Sequence, residues 1–308
     1  MQTKYKLNHS LFIFGLMILF FIAAFPLVQA QTAAPGDLDT TFGSGGKIVT
    51  SVTSEEDRPT RVRIQPDGKI VTVGVVLGDL YDQCPVNSFL VRHNADGTVD
   101  NSFGTNGSVV VTSNSSETIE IIFTDFVILP DGKLLVIASK SIDCYNTSST
   151  DLLIYRYTAN GTLDAAFGTN GVITTTVGGN LSNQRIVLQP DGKFVVASYA
   201  GSSEVAVVRY NPNGTLDTTF GTSGITRTSV GNSSFPYVGE ILVQTDGKLL
   251  VAGDARFGST VDIFVLRYNP NGTLDNSFGA NGIVQTDIDN QSNEIGGCLL
   301  YTSDAADE

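Results

Sequence analysis

The chain has 308 residues and is acidic, with 31 Asp and Glu residues against 18 Lys and Arg residues and a formal net charge of −13. Because nucleic acids and anionic membranes attract basic surfaces, this charge without any basic block argues against both as partners. Trp is absent, Gly is abundant with 32 residues, and β-branched residues are frequent. This composition points to sheets and turns.

Residues 1–30 have the three parts of a secretory signal peptide. Lys4 and Lys6 precede an apolar run that starts at Leu11, and the small-residue site VQA ends at Ala30. The apolar run is short for a membrane span, and the small-residue exit fits cleavage. We therefore expect removal of residues 1–30, no stable membrane span afterwards, and export to the extracellular space, the cell surface or the periplasm.

Residues 31–297 repeat one pattern, which begins with a phenylalanine motif. The motif LDxxFG places its aromatic residue at Phe42, Phe103, Phe167, Phe220 and Phe278. Spacings of 53 to 64 residues between these positions indicate one supersecondary unit repeated in tandem. A strand is predicted directly after each FGxxG element, as in GKIVTS and GVITTT.

A second motif, PDGK or TDGK, follows in each repeat and predicts a tight hairpin. Pro suits the first central position of a type I turn, Asp the second, and Gly the left-handed position that follows. The turn glycines are Gly68, Gly132, Gly192 and Gly247. An alternating strand precedes each turn, an almost wholly apolar interior strand follows it, and a further strand ends in RH or RY.

Four short antiparallel strands per repeat and no helical periodicity predict an all-β fold, a β-propeller with four copies of the blade and a partial fifth. A sandwich of about sixty residues is too small to bury two sheets well, and a β-helix favours a shorter repeat.

Together, LDTTFGxxG, QPDGKIV and RYNPNGTLD resemble the delta-60 repeat of bacterial secreted and surface proteins. The resemblance covers nearly all of residues 36–297. It implies a propeller-like extracellular module and no defined general activity, and it supplies no catalytic residues.

The segment from the Arg to the Phe tolerates no change in length, which indicates one rigid piece. The Arg lies eight residues before the Asp and eleven before the Phe in the four copies that follow Phe42. We expect the Asp to cap a single turn, the Phe to be buried as a wedge between blades, and the Arg to pair with an Asp of its own or an adjacent repeat. The residues are Arg92, Arg156, Arg209 and Arg267, with Asp100, Asp164, Asp217 and Asp275.

The other connections differ in length between repeats. If the strand after FGxxG is the first of its blade, the differing connections are A-B and C-D, and they share one face of the disc, where binding specificity is expected. Cys84 and Cys144 both fall in C-D loops of consecutive blades, so a disulfide on that face and free, inert thiols are the two alternatives.

The sequence contains few candidates for catalytic or metal-binding residues. His93 occupies the slot of Tyr157, Tyr210 and Tyr268, so we interpret it as a structural variant. NADGTVD at Asn94–Asp100 and its copies resemble the start of a calcium loop, but turn chemistry explains the same residues and no bidentate Glu follows. We therefore predict no cofactor, with calcium as the alternative. A catalytic acid would be one that breaks the repeat pattern, since the regular Asp residues already have structural roles. The candidates, all in predicted surface loops, are Glu55, Glu56, Asp79, Asp82 and Glu117.

From these observations we expect an exported β-propeller that binds an extracellular protein or glycan through its variable loops and is not an enzyme. The alternatives are an extracellular carbohydrate-active hydrolase and a purely structural surface stalk. The last eleven residues, Cys298–Glu308, break the repeat pattern and, back-translated, resemble sequencing-adapter read-through. We expect residues 298–308 to be an artefact and the natural protein to be longer; a genuine polar tail is the alternative.

Overall fold

The structure is a computed structural model that describes residues 36–78, 85–112, 120–141, 151–201, 203–231 and 236–287. The predicted signal peptide, Cys84, Cys144 and the tail Cys298–Glu308 lie outside the described residues, as do Asp79, Asp82 and Glu117. Contacts group residues from Thr40 onwards into one unit, separate from Met1–Asp39, and the description below concerns that unit.

The prediction of an all-β propeller with four-stranded antiparallel blades is confirmed. The strands, in chain order, are β1 (Glu56–Ile64), β2 (Ile70–Leu77), β3 (Pro85–His93), β4 (Ser108–Thr112), β5 (Glu120–Ile128), β6 (Leu134–Ser141), β7 (Asp151–Tyr157), β8 (Val172–Thr176), β9 (Leu181–Leu188), β10 (Phe194–Ala200), β11 (Glu204–Tyr210), β12 (Ile225–Ser229), β13 (Tyr237–Val243), β14 (Leu249–Phe257), β15 (Thr260–Tyr268) and β16 (Ile283–Thr286). Each consecutive group of four forms one sheet in sequence order, here called blades 1 to 4. Within the described part of the chain, no helix is long and apolar enough to cross a membrane.

The predicted position of one strand within the blade is wrong. The strand after FGxxG is the fourth strand of the blade that precedes it, because β4 pairs with β3, and β8, β12 and β16 pair likewise with β7, β11 and β15. The connection after the third strand folds back on that strand through hydrogen bonds such as Arg92 N to Gly107 O, 2.9 Å. The fourth strand therefore begins beside the third and pairs with it.

This correction changes the names of the connections but not their grouping. First and second strands are joined by five residues in every blade (65–69, 129–133, 189–193, 244–248), and third and fourth strands by fourteen (94–107, 158–171, 211–224, 269–282). The connections that differ in length join second to third strands and fourth strands to the next blade. We call the end of the sheets with the constant connections the turn end and the opposite end the loop end.

The five-residue hairpins have the hydrogen bonds of the predicted turn. Gly68 N donates to Gln65 O at 2.9 Å, and Gln65 N donates to Lys69 O at 2.7 Å. Gly68 has a φ of +83°, and the other three turn glycines lie between +79° and +82°, the left-handed region that Gly adopts at no steric cost.

The cores lie between blades. Of the three main clusters of buried apolar residues, each joins two consecutive sheets, and the first strands of successive blades contact one another. Phe103, Phe167 and Phe220 are completely buried in these cores. Phe42 and Phe278 are only half-buried, since each lies at a blade face that no described sheet covers.

We predict that replacing Phe220 by Ala lowers the free energy of unfolding by about 4 kcal/mol, because the ring is buried on both sides by blades 3 and 4. Phe278→Ala, the matched change at the uncovered face, is expected to cost less than about half as much. Denaturant unfolding of both variants measures the difference, and equal losses would show that burial between blades is not what the phenylalanine contributes.

Candidate ligand-binding site

The structure brings the predicted Arg and Asp residues together at the turn end of each blade. The Arg Nε lies 2.7 Å from the Asp Oδ2 for Arg92 and Asp100, and the corresponding distances in the other blades are 2.9, 2.8 and 2.8 Å. The Lys of the hairpin joins the same carboxylate, at 2.8 Å from Lys69 to Asp100 and 2.9 Å from Lys193 to Asp217. The pairing is therefore within one repeat.

Three of these Arg residues, Arg92, Arg156 and Arg209, also connect their blade to the next. The guanidinium carbon of Arg92 lies 4.6 Å from the centre of the Phe103 ring, and the other three blades show 4.2 to 4.6 Å. Arg92 NH1 donates to Ala159 O of blade 2 at 2.6 Å, and Gly104 N donates to Asn160 O at 2.8 Å. We call this set of Arg, Asp, Lys and Phe the joint.

The joint holds its carboxylates ionised. Burial raises the pKa of Asp217, but hydrogen bonds from Thr219 and Lys193 and the charge of Arg209 outweigh it and keep the pKa well below its ordinary value. The pKa of Asp100 is lowered in the same way by Lys69, Ser102 and Arg92. These donors to Asp100 and Asp217 all belong to the scaffold itself, so we interpret the joint as a structural feature.

We predict that the joints make the protein sensitive to acid. A depressed folded-state pKa contributes stability that is fully present above the ordinary Asp pKa of about 3.9 and is lost as the pH falls through the folded-state value. Asp217→Asn leaves Arg209 and Lys193 without their carboxylate, so at pH 7 the free energy of unfolding falls by about 3 kcal/mol and its dependence on pH below 5 weakens.

The control for this prediction is Asp191→Asn, on the same hairpin as Lys193. The Asp191 side chain is 57% exposed, and Asn keeps the oxygen that accepts a hydrogen bond from the Lys193 amide. Its effect should stay within about 0.5 kcal/mol. Chemical unfolding between pH 3 and 7 gives both values, and equal pH profiles for the two variants would contradict the prediction.

His93 forms a hydrogen bond within the scaffold, at the position that Tyr occupies in the other repeats. Its Nε2 lies 2.7 Å from Thr50 Oγ1, and Tyr268 at the equivalent position donates its hydroxyl to Thr228 Oγ1 at 2.8 Å. Burial lowers the pKa of His93, which favours the neutral ring.

The turns considered for calcium use their side-chain oxygens internally. Asp96 Oδ1 accepts hydrogen bonds from the Thr98 amide at 2.9 Å and the Thr98 hydroxyl at 2.7 Å, and these bonds lower the pKa of Asp96. In the described ranges, no group of three or more His, Cys, Asp or Glu residues could hold a metal ion. Glu55 and Glu56 are exposed, and Glu56 pairs with Arg58 at 2.8 Å.

Sequence reasoning missed a set of charged residues on the innermost strands. Six residues before the Asp of each hairpin lie, in blade order, Arg61, Asp125, Arg185 and Glu240, so the sign of the charge alternates from blade to blade. At each position the pairing of the first and second strands shifts by one residue. Such a bulge turns side chains in a new direction and is frequent beside functional sites. We call these four residues, with Arg63 and Tyr237, the axial cluster.

Contacts within the axial cluster run from blade to blade. Asp125 has no exposed surface; its Oδ1 accepts a hydrogen bond from Arg63 at 2.9 Å and its Oδ2 one from the Ile186 amide at 3.2 Å. Arg185 is 6% exposed and donates to Gly239 O at 2.7 Å and to the Tyr237 hydroxyl at 3.0 Å. Across the blade boundaries, Asp125 is therefore ion-paired with Arg63, and Arg185 is hydrogen-bonded to neutral groups, as burial of charged groups requires.

Two arginine side chains of the cluster are partly exposed to solvent. The Arg61 side chain is 32% exposed and the Arg63 side chain 36%, while Asp125 behind them is buried. Arg61 Nε lies 3.8 Å from Asp125 Oδ1. The arrangement can hold an anionic group against two oriented guanidinium forks. The cluster could have been recognised in the sequence as a charged residue at one position of the first strand, whose sign alternates between repeats.

A family model matches the constant elements of each blade, from the hairpin to the joint, and leaves out the first and fourth strands. Four segments of the chain match the model described as Domain of unknown function (DUF5122) beta-propeller. The matched residues are 65–103, 129–167, 189–220 and 244–278. Each segment of this propeller repeat therefore runs from the start of the constant hairpin to the Phe of the joint. No curated protein matches the sequence significantly.

Solved structures with a similar arrangement share little sequence with the chain. A protein of unknown function from Bacteroides caccae is 16% identical, with a TM-score of 0.38, over 75% of this chain and 61% of that one. The α-L-arabinanase of Cellvibrio cellulosa is 12% identical, with a TM-score of 0.44, over 71% of this chain and 76% of that one. The chain spans 61%, 47% and 37% of the first three solved chains it matches.

The expectation that the protein is not an enzyme is corrected by these comparisons. Propeller structures similar to the chain include an arabinanase and the xylan β-1,4-xylosidase of Bacillus halodurans C-125, at 12% and 11% identity. The expectation of no catalysis is therefore withdrawn. At such identities, and with TM-scores of 0.44 and 0.40, the likeness assigns no activity to this chain.

Proposed function

We propose that the chain is an exported propeller module of the delta-60 type, which binds an acidic group of an extracellular protein or glycan at the axial cluster. The observation that carries the proposal is the pair of partly exposed side chains of Arg61 and Arg63, backed by the buried carboxylate of Asp125. The cluster carries three positive and two negative side chains, in a chain whose net charge is −13. A local excess of positive charge in an acidic protein favours an anionic ligand.

The buried part of the cluster supports binding by fixing the exposed part. Asp125 holds Arg63 by a hydrogen bond, and Arg61 NH1 donates to Thr60 O at 2.8 Å. A guanidinium has five N–H donors, more than these contacts use. Because both Arg residues lie on β1 of a rigid sheet, little conformational entropy is lost when they bind a carboxylate.

Specificity is expected from the loop end. Connections there differ from blade to blade, with residues 78–84, 142–150, 201–203 and 258–259 between second and third strands. The turn end has the same geometry in every blade and offers no such variety. Differences between loops on a constant scaffold are the usual source of binding specificity.

The test is calorimetric titration with two probes, a uronic-acid oligosaccharide and polyglutamate, each compared with a neutral polymer of the same length. We expect one acidic probe to bind and Arg61→Gln to weaken it about tenfold or more, since a charged hydrogen bond contributes about 1.5–3 kcal/mol. The matched control is Arg58→Gln, on the same strand but paired with the exposed Glu56.

The proposal is wrong if neither acidic probe binds, or if both variants bind as well as the unchanged chain. Thermal unfolding of both variants must be measured alongside, so that a loss of binding is not a loss of folding. An inert but stable protein would favour the structural stalk.

A second candidate is a carbohydrate-active hydrolase. Glycoside cleavage uses a pair of Asp or Glu residues on either side of the scissile bond. Of the two acids of the cluster, Glu240 is half-buried whereas Asp125 has no exposed surface, so the second acid of such a pair has to come from outside the cluster. The same uronic-acid oligosaccharide is therefore assayed for new reducing ends. Turnover that Glu240→Gln abolishes while binding persists would select the hydrolase.

A further inference from the structure

The face of blade 1 that points away from blade 2 is apolar, and no described sheet covers it. It forms an open groove of about 620 Å³ lined by residues such as Phe42, Ile48, Val62, Ile64 and His93. Val62 is 61% exposed and Ile64 70%. The residues equivalent to Val62 in the later blades are buried in the cores between blades, with exposures of 0, 2 and 1%: Phe126, Ile186 and Ile241.

Residues 42–50 lie against this face in the geometry of a joint and a fourth strand. Gly43 N donates to Asp96 O at 2.8 Å, as Gly104 N does to Asn160 O and Gly221 N to Asn271 O. Ser44 N donates to Lys47 O, and Gly46 N to Phe42 O, and both bonds recur in later blades. Thr50 contacts His93 as Thr228 contacts Tyr268.

This segment differs from the fourth strands of blades 1 to 4 in one respect. Each of those strands pairs with a third strand, whereas residues 47–51 form no ladder among the described residues beyond a local bridge between Gly43 and Lys47. Val49 is 98% exposed, while Val110 at the equivalent position of β4 is 39% exposed. Residues 47–51 thus have the position of a fourth strand but, in the described ranges, no third strand beside them.

We propose that the uncovered face of blade 1 is the docking surface for a three-stranded unit of this same repeat, which takes residues 47–51 as its fourth strand. The unit's apolar face covers Val62 and Ile64, and its third strand pairs with residues 47–51. This interface continues the three interfaces already present between blades 1 and 2, 2 and 3, and 3 and 4.

The occupied fourth-strand position argues against a second copy of this chain as the occupant. Blade 4 of a second copy brings its own fourth strand, β16, and its own joint phenylalanine, Phe278. These would have to occupy the space that residues 42–50 already fill. A unit of three strands fits without displacing the segment.

The test supplies a three-stranded unit copied from the chain's own sequence. A copy of residues 230–273 is inserted directly before Leu38, which joins RYNPNGT to LDTTFG and recreates the sequence of Arg209–Gly221. Hydrogen exchange is compared in the grafted and the original chain. We expect the amides of residues 47–51 to exchange about a hundredfold more slowly after grafting, because they gain a strand partner.

The control graft carries Leu250→Lys and Val265→Lys in the copied segment. The equivalent residues of blade 3, Val195 and Val207, are completely buried against blade 4, so these changes disrupt the docking face without altering the turns. Residues 47–51 should then exchange as in the original chain.

Three results overturn the proposal. The first is a graft that acquires protected amides of its own but leaves residues 47–51 unchanged. The second is a graft that acquires none, since a unit with the sequence of blade 4 then failed to dock. The third is an original chain that is dimeric by light scattering and already protected at residues 47–51, which would assign the face to a second copy.

Discussion

The joint between consecutive blades is the interaction on which the rest of the structure depends. A single four-stranded sheet cannot bury both of its faces, so its stability comes from its neighbours. The joint supplies this contact at a fixed place, with a buried Phe under a guanidinium that also reaches the next blade's backbone. It is tied at three points, at the third strand, the Asp and the next blade, which explains why fourteen residues separate third and fourth strands in every blade.

Much of this was predictable because the joint and the hairpin are local. The turn glycines require a positive φ, the Arg and Asp are eight residues apart, and the apolar pattern distinguishes interior strands. The grouping of constant and differing connections also followed from spacing alone. The place of the strand after FGxxG did not, since spacing does not tell whether a strand pairs with its predecessor or its successor.

The axial cluster escaped prediction for a different reason. Arg61 and Asp125 lie 64 positions apart in the chain and meet only because their strands adjoin and both are bulged. A bulge adds one residue to one strand, and the alternation of apolar residues on either side does not reveal it. Residue patterns also suggested loop acids such as Glu55, which the structure places at an exposed position.

The axial cluster makes the order of the blades matter. Joints are alike in all four blades, so they alone would allow any blade to follow any other. At the axis, however, Asp125 lies between the arginines of blade 1 and the backbone of blade 3, and burial together with the charge of Arg61 lowers the pKa of Arg185. Exchanging blades 2 and 3 would place Arg185 beside Arg61 and Arg63 without an intervening carboxylate, at the cost of unpaired buried charge. The repeats therefore share a scaffold, but each has one place in it.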